Sequence, residues 1–395
     1  MRVLYISGYY KPAYMYGGPV NFSSSLCEVL TQLGVEVTVY TTNAYGKNRL
    51  EMPSDRAVVV NGVPVWYFPL QFKNRFYFST DFFRAIIHNA KQFDVIITET
   101  VWGYLQIPIW RVHSESGTPY IIPLHGQLLP WSISQKKIKK QLFLSLYGKR
   151  FINGAAALVC SDLEEAEALS SFNFQPPTII IPIGLDLVKF TRSSSNGSWR
   201  TKFSIPEAAI VFLFIGRLHP KKKPDLAVLT LISAVHQQID AHLILAGPDE
   251  GGVQEDLKKL AKLSGCEERI HFTGLIADQQ VLEAYADADL LLMPSEPQSE
   301  NFGVSASEAL ACGVAILTSD GVPVGRWAEA AGAGLRVSTS GDDFIRAAIS
   351  LVREPGRLSQ MGENGRILAE KMFDIKQSGA LWLTHLQAIT RHKEG

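Results

Sequence analysis

The sequence predicts an α/β fold of two doubly wound halves, and three observations carry that expectation. Short β-branched runs alternate with helical patterns along almost the whole chain, which implies parallel βαβ units. A polar stretch, Thr191 to Trp199 (TRSSSNGSW), interrupts the alternation, which then restarts. In the second half an apolar run, Ala288 to Pro294, leads into a glycine turn and a helical pattern from Ser299 to Gly313 (SENFGVSASEALACG). Strand, turn and helix start together offer unpaired backbone N–H groups and a positive dipole end to an anion.

Taken in order, the first-half strand candidates are Val3–Ile6, Val35–Thr41, Val63–Phe68, Asp94–Thr98, Tyr120–Leu124, Ala157–Ser161 and Thr178–Ile183. A helix from about Val20 to Leu33 puts Phe22, Leu26, Leu30 and Leu33 on one face, with Gly34 as its stop. After the polar break the candidates are Ile210–Ile215, His242–Ala246, Ile270–Thr273, Leu290–Met293, Val314–Thr318 and Leu335–Val337. Helices about Leu226–Gln237, Val253–Leu263 and Gln279–Tyr285 lie between them, and the last helices, through Leu381–Ile389, have no strand after them. Two such halves joined by a hinge imply a cleft, and open α/β sheets bind ligands at the carboxyl ends of their strands.

Composition narrows the function classes. The 395 residues suit about two domains. Thirty-eight basic against 38 acidic residues give zero net charge, which argues against a nucleic-acid partner. The N-terminal MRVLYISGYY is too short an apolar run for a secretory signal and reads as a first strand; no run reaches the roughly 18–20 residues of a membrane span. Cys27, Cys160, Cys266 and Cys312 are far apart in apolar surroundings and lack metal spacing, so reduced, buried thiols in a cytoplasmic protein are expected.

The chemistry concentrates in the second half. Glu300 and Glu308 stand with seven residues between them, flanking the turn Asn301, Phe302 and Gly303. Upstream, a strand ends at Gly216 and is followed by Arg217 and the lysines Lys221, Lys222 and Lys223. A guanidinium fork and an ammonium at the mouth of a parallel sheet are what a diphosphate needs. A lone lysine triplet is ordinarily a solvated loop; its place after a strand, in the half that carries both carboxylates, favours function. Phosphate-binding and hydroxyl-binding groups side by side suit a nucleotide sugar. Asp287 and Asp289 form a D-x-D, but at the start of an apolar strand they read as surface or capping residues rather than a metal site. His125 follows IIPL at a strand end, which raises it above an ordinary core histidine. The segment Ser134 to Arg150 reads as one basic amphipathic helix with Ile138, Leu142 and Leu146 on one face. That face is expected over a packed core, with a membrane-surface role as the alternative. The aromatics of Trp66 to Phe83 read as core, with acceptor stacking as the alternative.

GRLHPKKKPD, AGPDEGG, HFTG and MPS…ENFGVSASEALACGVAILTS, taken together, resemble the retaining glycosyltransferases of family 4. In the first half GGPVNFSSSLCEVLTQLGVEVTVYT, LHG, VCSDLEEA and IPIGLDLVKF resemble the same family in the same order. The resemblance implies a GT-B fold: two Rossmann-like domains facing a cleft, with the C-terminal helix packing back on the N-terminal domain. The implied boundaries are 1–190 with about 374–395 for the acceptor domain and 191–373 for the donor domain.

It also implies roles, residue by residue. Glu300 would face the donor sugar's hydroxyls, and the N–H groups of Asn301, Phe302 and Gly303 would meet sugar and diphosphate. Glu308 would accept from the ribose hydroxyls. Arg217, beside Gly216, and a lysine would hold the diphosphate; Lys222 aligns without a gap and Lys223 stays open. His125 would line the cleft, and Gly17 and Gly18 the loop near diphosphate and acceptor. Two departures stand out. Pro294-Ser295 is separated from Glu300 by four residues rather than the family's two, which leaves Glu296 as a competitor, and the family's PNG turn reads Pro182-Ile183-Gly184. The function implied is metal-independent, cofactor-free, retaining transfer from a UDP- or GDP-sugar to a glycan or lipid-linked glycan. The setting would be polysaccharide or glycolipid assembly, in the cytoplasm or at the membrane's cytoplasmic face through residues 134–150. A nucleotide-sugar epimerase on the same scaffold is the alternative.

Overall fold

A computed structural model of the chain describes residues 1–72, 77–190, 197–276, 279–354 and 356–391. It divides into two compact units, Met1–Gly184 with Ile375–Gly395, and Leu185–Asp374.

The first unit contains β1 (Arg2–Ile6), β2 (Glu36–Thr42), β3 (Ala44–Tyr45), β4 (Asn48–Arg49), β5 (Val58–Val60), β6 (Val63–Phe68), β7 (Val95–Thr98), β8 (Tyr120–Pro123), β9 (Ala157–Cys160) and β10 (Thr178–Ile180). Eight of these form one sheet in the order β10-β9-β8-β7-β1-β2-β6-β5, parallel except for β5, which pairs antiparallel with β6. The central strands β7, β8 and β9 are buried along their whole length, as helices on both faces require, and so they read as unbroken apolar runs. The final helix, Ile375–Arg391, belongs to this unit and packs on helix Gly18–Gln32.

The second unit contains β11 (Ile210–Ile215), β12 (Ala241–Ala246), β13 (Ile270–Gly274), β14 (Leu290–Met293), β15 (Ala315–Ser319) and β16 (Gly334–Val337). All six are parallel, in the order β13-β12-β11-β14-β15-β16. Chain order therefore reverses between β11 and β14, and in open α/β sheets the crevice at such a reversal takes the ligand. In the first unit the reversal lies between β1 and β7.

Each strand expected from the sequence is present with slightly shifted ends, and the fold is the expected pair of Rossmann-like α/β units. Three short strands were not expected: the β3–β4 hairpin and β5, whose Val59 is exposed and whose edge position leaves no alternating pattern. Most of the expected linker, residues 191–196, lies outside the described residues, and its end is helical: Ser198–Lys202, with Trp199 buried. Asp287 caps that short helix by accepting from the N–H groups of Gly197, Trp199 (2.8 Å) and Arg200 (3.1 Å). Asp289 accepts from Val211 N–H at 2.8 Å and pairs with Arg200 at 3.0 Å. Both carboxylates of the D-x-D are thus used in folding. The four cysteines are free and buried.

The expected single helix over Ser134–Arg150 is broken. Pro130–Ser134 ends at Gln135, Lys136 takes a left-handed backbone (φ 57°), and the helix resumes as Lys137–Phe143 before a π-helical turn at Leu144–Gly148. Its buried side is the opposite of the expected one. Leu144 and Tyr147 pack on the core, whereas Ile138, Leu142 and Leu146 are 81%, 57% and 75% exposed.

Candidate functional site

The loops after β11 and β14 lie side by side because those strands are paired, Phe212 with Leu290 and Leu213 with Leu291. Gly216 directly follows β11 and packs so closely on Gly247, which follows β12, that a Cβ at Gly247 would stand 1.9 Å from the Gly216 carbonyl oxygen. Beyond it Pro220–Lys222 makes one 3₁₀ turn, and Lys223, with φ 49°, caps helix Pro224–His236. The two loops are stitched together where Glu296 N–H donates to the Lys221 carbonyl at 2.8 Å.

This turn directs Lys222 onto Glu300: the ammonium pairs with Oε1, to which the Ser295 hydroxyl also donates at 2.9 Å. Both charged side chains are largely buried, at 17% and 10% exposure, so the pair is well shielded from solvent. Arg217 is paired instead with Glu250, at 2.8 Å and half exposed. Lys221 lies in the same charge cluster. Burial pushes its ammonium below the ordinary lysine range, Glu300 opposes that shift, and Lys222 and Arg217 add to it. Of the two lysines left open by the sequence, Lys222 is the one that pairs with Glu300; the backbone of Lys223 forms the N-cap of helix Pro224–His236, and its side chain makes no capping bond. Glu296 uses its backbone in the loop stitch, while Glu300 and Glu250 are the carboxylates that act on Lys221.

Past Glu300 the chain turns into helix Val304–Ala311. Phe302 is buried, its ring 5.9 Å from Trp327 and 5.7 Å from Phe373, which anchors the turn. Gly303 caps the helix at φ 101°, and a Cβ there would meet Val322 Cγ1 at 2.7 Å, so the position requires glycine. The first intrahelical bond of this turn is Ala306 N–H to the Gly303 carbonyl, at 2.9 Å. The N–H groups of Gly303, Val304 and Ser305 precede it and have no acceptor within the helix. Asn301 stands between Glu300 and this turn, at intermediate exposure.

Glu308 lies just over one turn into the helix. Desolvation raises its carboxyl to about 7, although the Tyr285 hydroxyl, donating at 2.9 Å, works in the other direction. The helix that carries it is held at its far end by Arg366, which donates to the Ala311 carbonyl at 2.7 Å, a cation at a helix C-terminus.

The first unit has its own polar cluster at the β1–β7 reversal. Glu99, just after β7, accepts from the Tyr5 hydroxyl and the Ser7 hydroxyl, each at 2.7 Å. His125 follows β8 in a left-handed conformation (φ 48°), its Nε2 3.4 Å from Glu99 Oε1. That separation is an ion-pair distance only, for Nε2 makes no hydrogen bond among the described residues. Phe22, from helix Gly18–Gln32, packs edge-on to the imidazole at 4.5 Å. The strained loop is pinned by buried Glu165, which accepts from Gly126 N–H, from Ser161 N–H at 2.7 Å and from the Ser161 hydroxyl at 3.0 Å. Burial still raises the Glu165 carboxyl above the usual range. Gly17 caps helix Gly18–Gln32, and both glycines are exposed at its start.

Sequence reasoning therefore reached one half of each pair and missed the other. Glu99, Glu250, Ser295, Tyr285 and Glu165 all lie far along the chain from, or several residues off, the groups they serve. Glu99 carried a local signal in the polar Thr98-Glu99-Thr100 at the end of a buried strand, and Glu250, Ser295 and Glu165 lie inside the AGPDEGG, MPS and VCSDLEEA motifs, which mark the residues without naming their partners.

The family model described as "Glycosyl transferases group 1" matches residues 195–368, and that described as "Glycosyl transferase 4-like domain" matches residues 17–184. A D-inositol 3-phosphate glycosyltransferase of Streptomyces bingchenggensis is 29% identical over 263 residues, which is 62% of this chain and 56% of the relative. The chain thus spans little more than half the length of that curated relative. The solved structure of Anabaena HepE in complex with UDP and glucose superposes with a TM-score of 0.77 at 19% identity, covering 98% of this chain and 100% of that one. Sucrose-phosphate synthase from Thermosynechococcus elongatus gives a TM-score of 0.78 at 18% identity, covering 99% and 100%. With a matching family model on each unit and this fold throughout, the chain belongs to the family 4 glycosyltransferases, the glycosyl transferases group 1, with the GT-B fold.

Proposed function

We propose that the protein transfers a sugar from a nucleoside-diphosphate sugar to an acceptor hydroxyl, with retention of configuration at the anomeric carbon. The observation that carries this reading is the shielded Lys222–Glu300 pair beside the start of helix Val304–Ala311, at the strand-order reversal of the second unit. Cation and carboxylate are already in place there, one for a phosphate and the other for sugar hydroxyls. Donor binding replaces their mutual contact with one partner each. Arg217 exchanges Glu250 for phosphate oxygen in the same way, at little cost, since an exposed pair is worth about 0–1 kcal/mol. Glu308 accepts from the ribose hydroxyls.

In the reaction the anomeric C–O bond to the diphosphate breaks, and the acceptor oxygen bonds to the same carbon on the same face. The acceptor proton passes to a departing phosphate oxygen. Lys222, Arg217 and the N–H groups of residues 301–303 stabilise the charge that develops on the diphosphate, with no metal or cofactor invoked. His125, held near Glu99, and the Gly17-Gly18 helix start serve the acceptor side. UDP-glucose is the first donor to test, because HepE, which shares the fold, was solved with UDP-glucose. Assembly of polysaccharide or glycolipid in the cytoplasm suits such a reaction, and the four free thiols suit a reducing compartment.

The test is turnover of labelled UDP- and GDP-sugars by wild type and Arg217→Ala. Loss of a preorganised donor costs on the order of a hundredfold in rate, while the half-exposed side chain leaves folding intact. A wild-type rate in the variant would show that Arg217 does not touch the diphosphate.

A further inference from the structure

The first unit presents a surface that the transferase reading does not use. Between Glu115 and Asp162 the sequence has six cations and no acid, all six within Lys136–Arg150. Along helix Lys137–Phe143 and the π turn that continues it, Ile138, Leu142 and Leu146 recur every fourth residue and point outward, between 57% and 81% exposed. Lys136, Lys137, Lys139 and Lys149 flank them and are themselves exposed. Three large aliphatic side chains in water on one helical stripe, ringed by ammonium groups, stabilise nothing in the fold. The inner face already buries Leu144 and Tyr147.

The same segment is rigidly placed. Lys140 reaches back to the Ser132 carbonyl at 2.7 Å and lies 4.9 Å over the Trp102 ring, and Phe143 packs on Trp102 at 5.8 Å. Trp102 belongs to the loop after β7, the one that carries Glu99. The stripe is therefore anchored at the end of the sheet where Glu99 and His125 lie.

We propose that this stripe docks the protein on an anionic lipid bilayer, with Ile138, Leu142 and Leu146 entering the acyl–headgroup boundary and the flanking lysines meeting lipid phosphates. An apolar face rimmed by cations is the signature of an interfacial helix, and the uniform charge sign selects an anionic surface over a zwitterionic one. No described helix is long and apolar enough to cross a membrane, so the contact is peripheral. Resting on the proposed function, docking at this end of the unit makes the acceptor a glycan attached to a lipid, presented at headgroup depth.

Co-sedimentation with vesicles tests the docking without reference to catalysis. The full chain is spun with vesicles of phosphatidylcholine alone, or of phosphatidylcholine with phosphatidylglycerol, at low salt and at about 0.5 M NaCl. The expected result is binding to the phosphatidylglycerol vesicles, at least about tenfold stronger than to phosphatidylcholine and weakened at least as much by salt. The triple substitution Ile138→Ser, Leu142→Ser, Leu146→Ser should lose about tenfold or more in vesicle affinity, with an unchanged melting temperature because the three side chains are exposed. Lys137→Gln with Lys139→Gln should weaken binding and flatten its salt dependence. Equal binding to both vesicle types, no binding, or a triple variant that binds like wild type would overturn the proposal. So would a wild-type dimer that the serine substitutions dissolve while vesicle binding stays absent. The thermal shift caused by UDP reports on the other unit, so failure on vesicles and failure of the transferase reading are separable.

Discussion

Lys222→Ala is expected to lower sugar transfer by about 10²- to 10³-fold, the cost of removing one fixed charge from the point where a leaving group turns anionic. The loss is larger than for Arg217→Ala, for a reason visible in the resting structure. Lys222 is shielded and bound to Glu300, whereas Arg217 is half exposed on Glu250. The substitution also leaves the Glu300 carboxylate without its ammonium partner, with the Ser295 hydroxyl still donating to Oε1. Some loss of stability should accompany the loss of rate, as for any shielded ion pair from which one member is removed. The double variant Lys222→Ala, Glu300→Gln separates the two effects when read by melting temperature and by affinity for UDP, which lacks the sugar that Glu300 meets: melting temperature should recover while UDP affinity stays low. Recovery of UDP affinity in the double variant would mean that Lys222 serves the fold and not the diphosphate.

Glu308→Gln should produce the second large effect, and its sign reverses with the property measured. Burial raises the carboxyl from 4.5 to about 7, so the folded state prefers it protonated. Its contribution to stability is fully present below the unfolded value of 4.5 and is lost as pH rises through 7. At 1.36 kcal/mol per unit, a wild-type protein without nucleotide should lose about 3 kcal/mol over that window that the glutamine variant does not. Nucleotide binding should run the other way. Ribose hydroxyls donate to a carboxylate, so UDP affinity should fall by up to about tenfold per unit as pH drops below 7, with protons released on binding. The glutamine variant should bind UDP weakly with a flat pH profile. Melting curves and calorimetric titrations between pH 5 and pH 8 check both directions. A wild type whose UDP affinity is the same at both ends would remove Glu308 from the ribose.

How far the sequence carried each element depends on where its physical cause lies. Buried parallel strands such as β11 and β14 advertise themselves, because both faces need apolar side chains. The spacing of Glu300 and Glu308 across a glycine turn and the first turn of a helix was legible for the same local reason. Partners were not. The Lys222–Glu300 contact depends on a 3₁₀ turn, and the Arg217–Glu250 and His125–Glu99 pairings on strand order, which no window of sequence contains. The segment Ser134–Arg150 shows the limit most plainly. Its apolar residues fall on two faces, Ile138, Leu142 and Leu146 on one and Leu144 with Tyr147 on the other, and periodicity alone does not say which one a core covers.

The most direct measurement is a crystal structure of the protein with UDP bound. The diphosphate should rest against Lys222, Arg217 and the N–H groups at Gly303, with both ribose hydroxyls on Glu308 and the Lys222–Glu300 contact opened. Phosphates lodged elsewhere, with that contact intact and Glu308 still facing only Tyr285, would contradict the account.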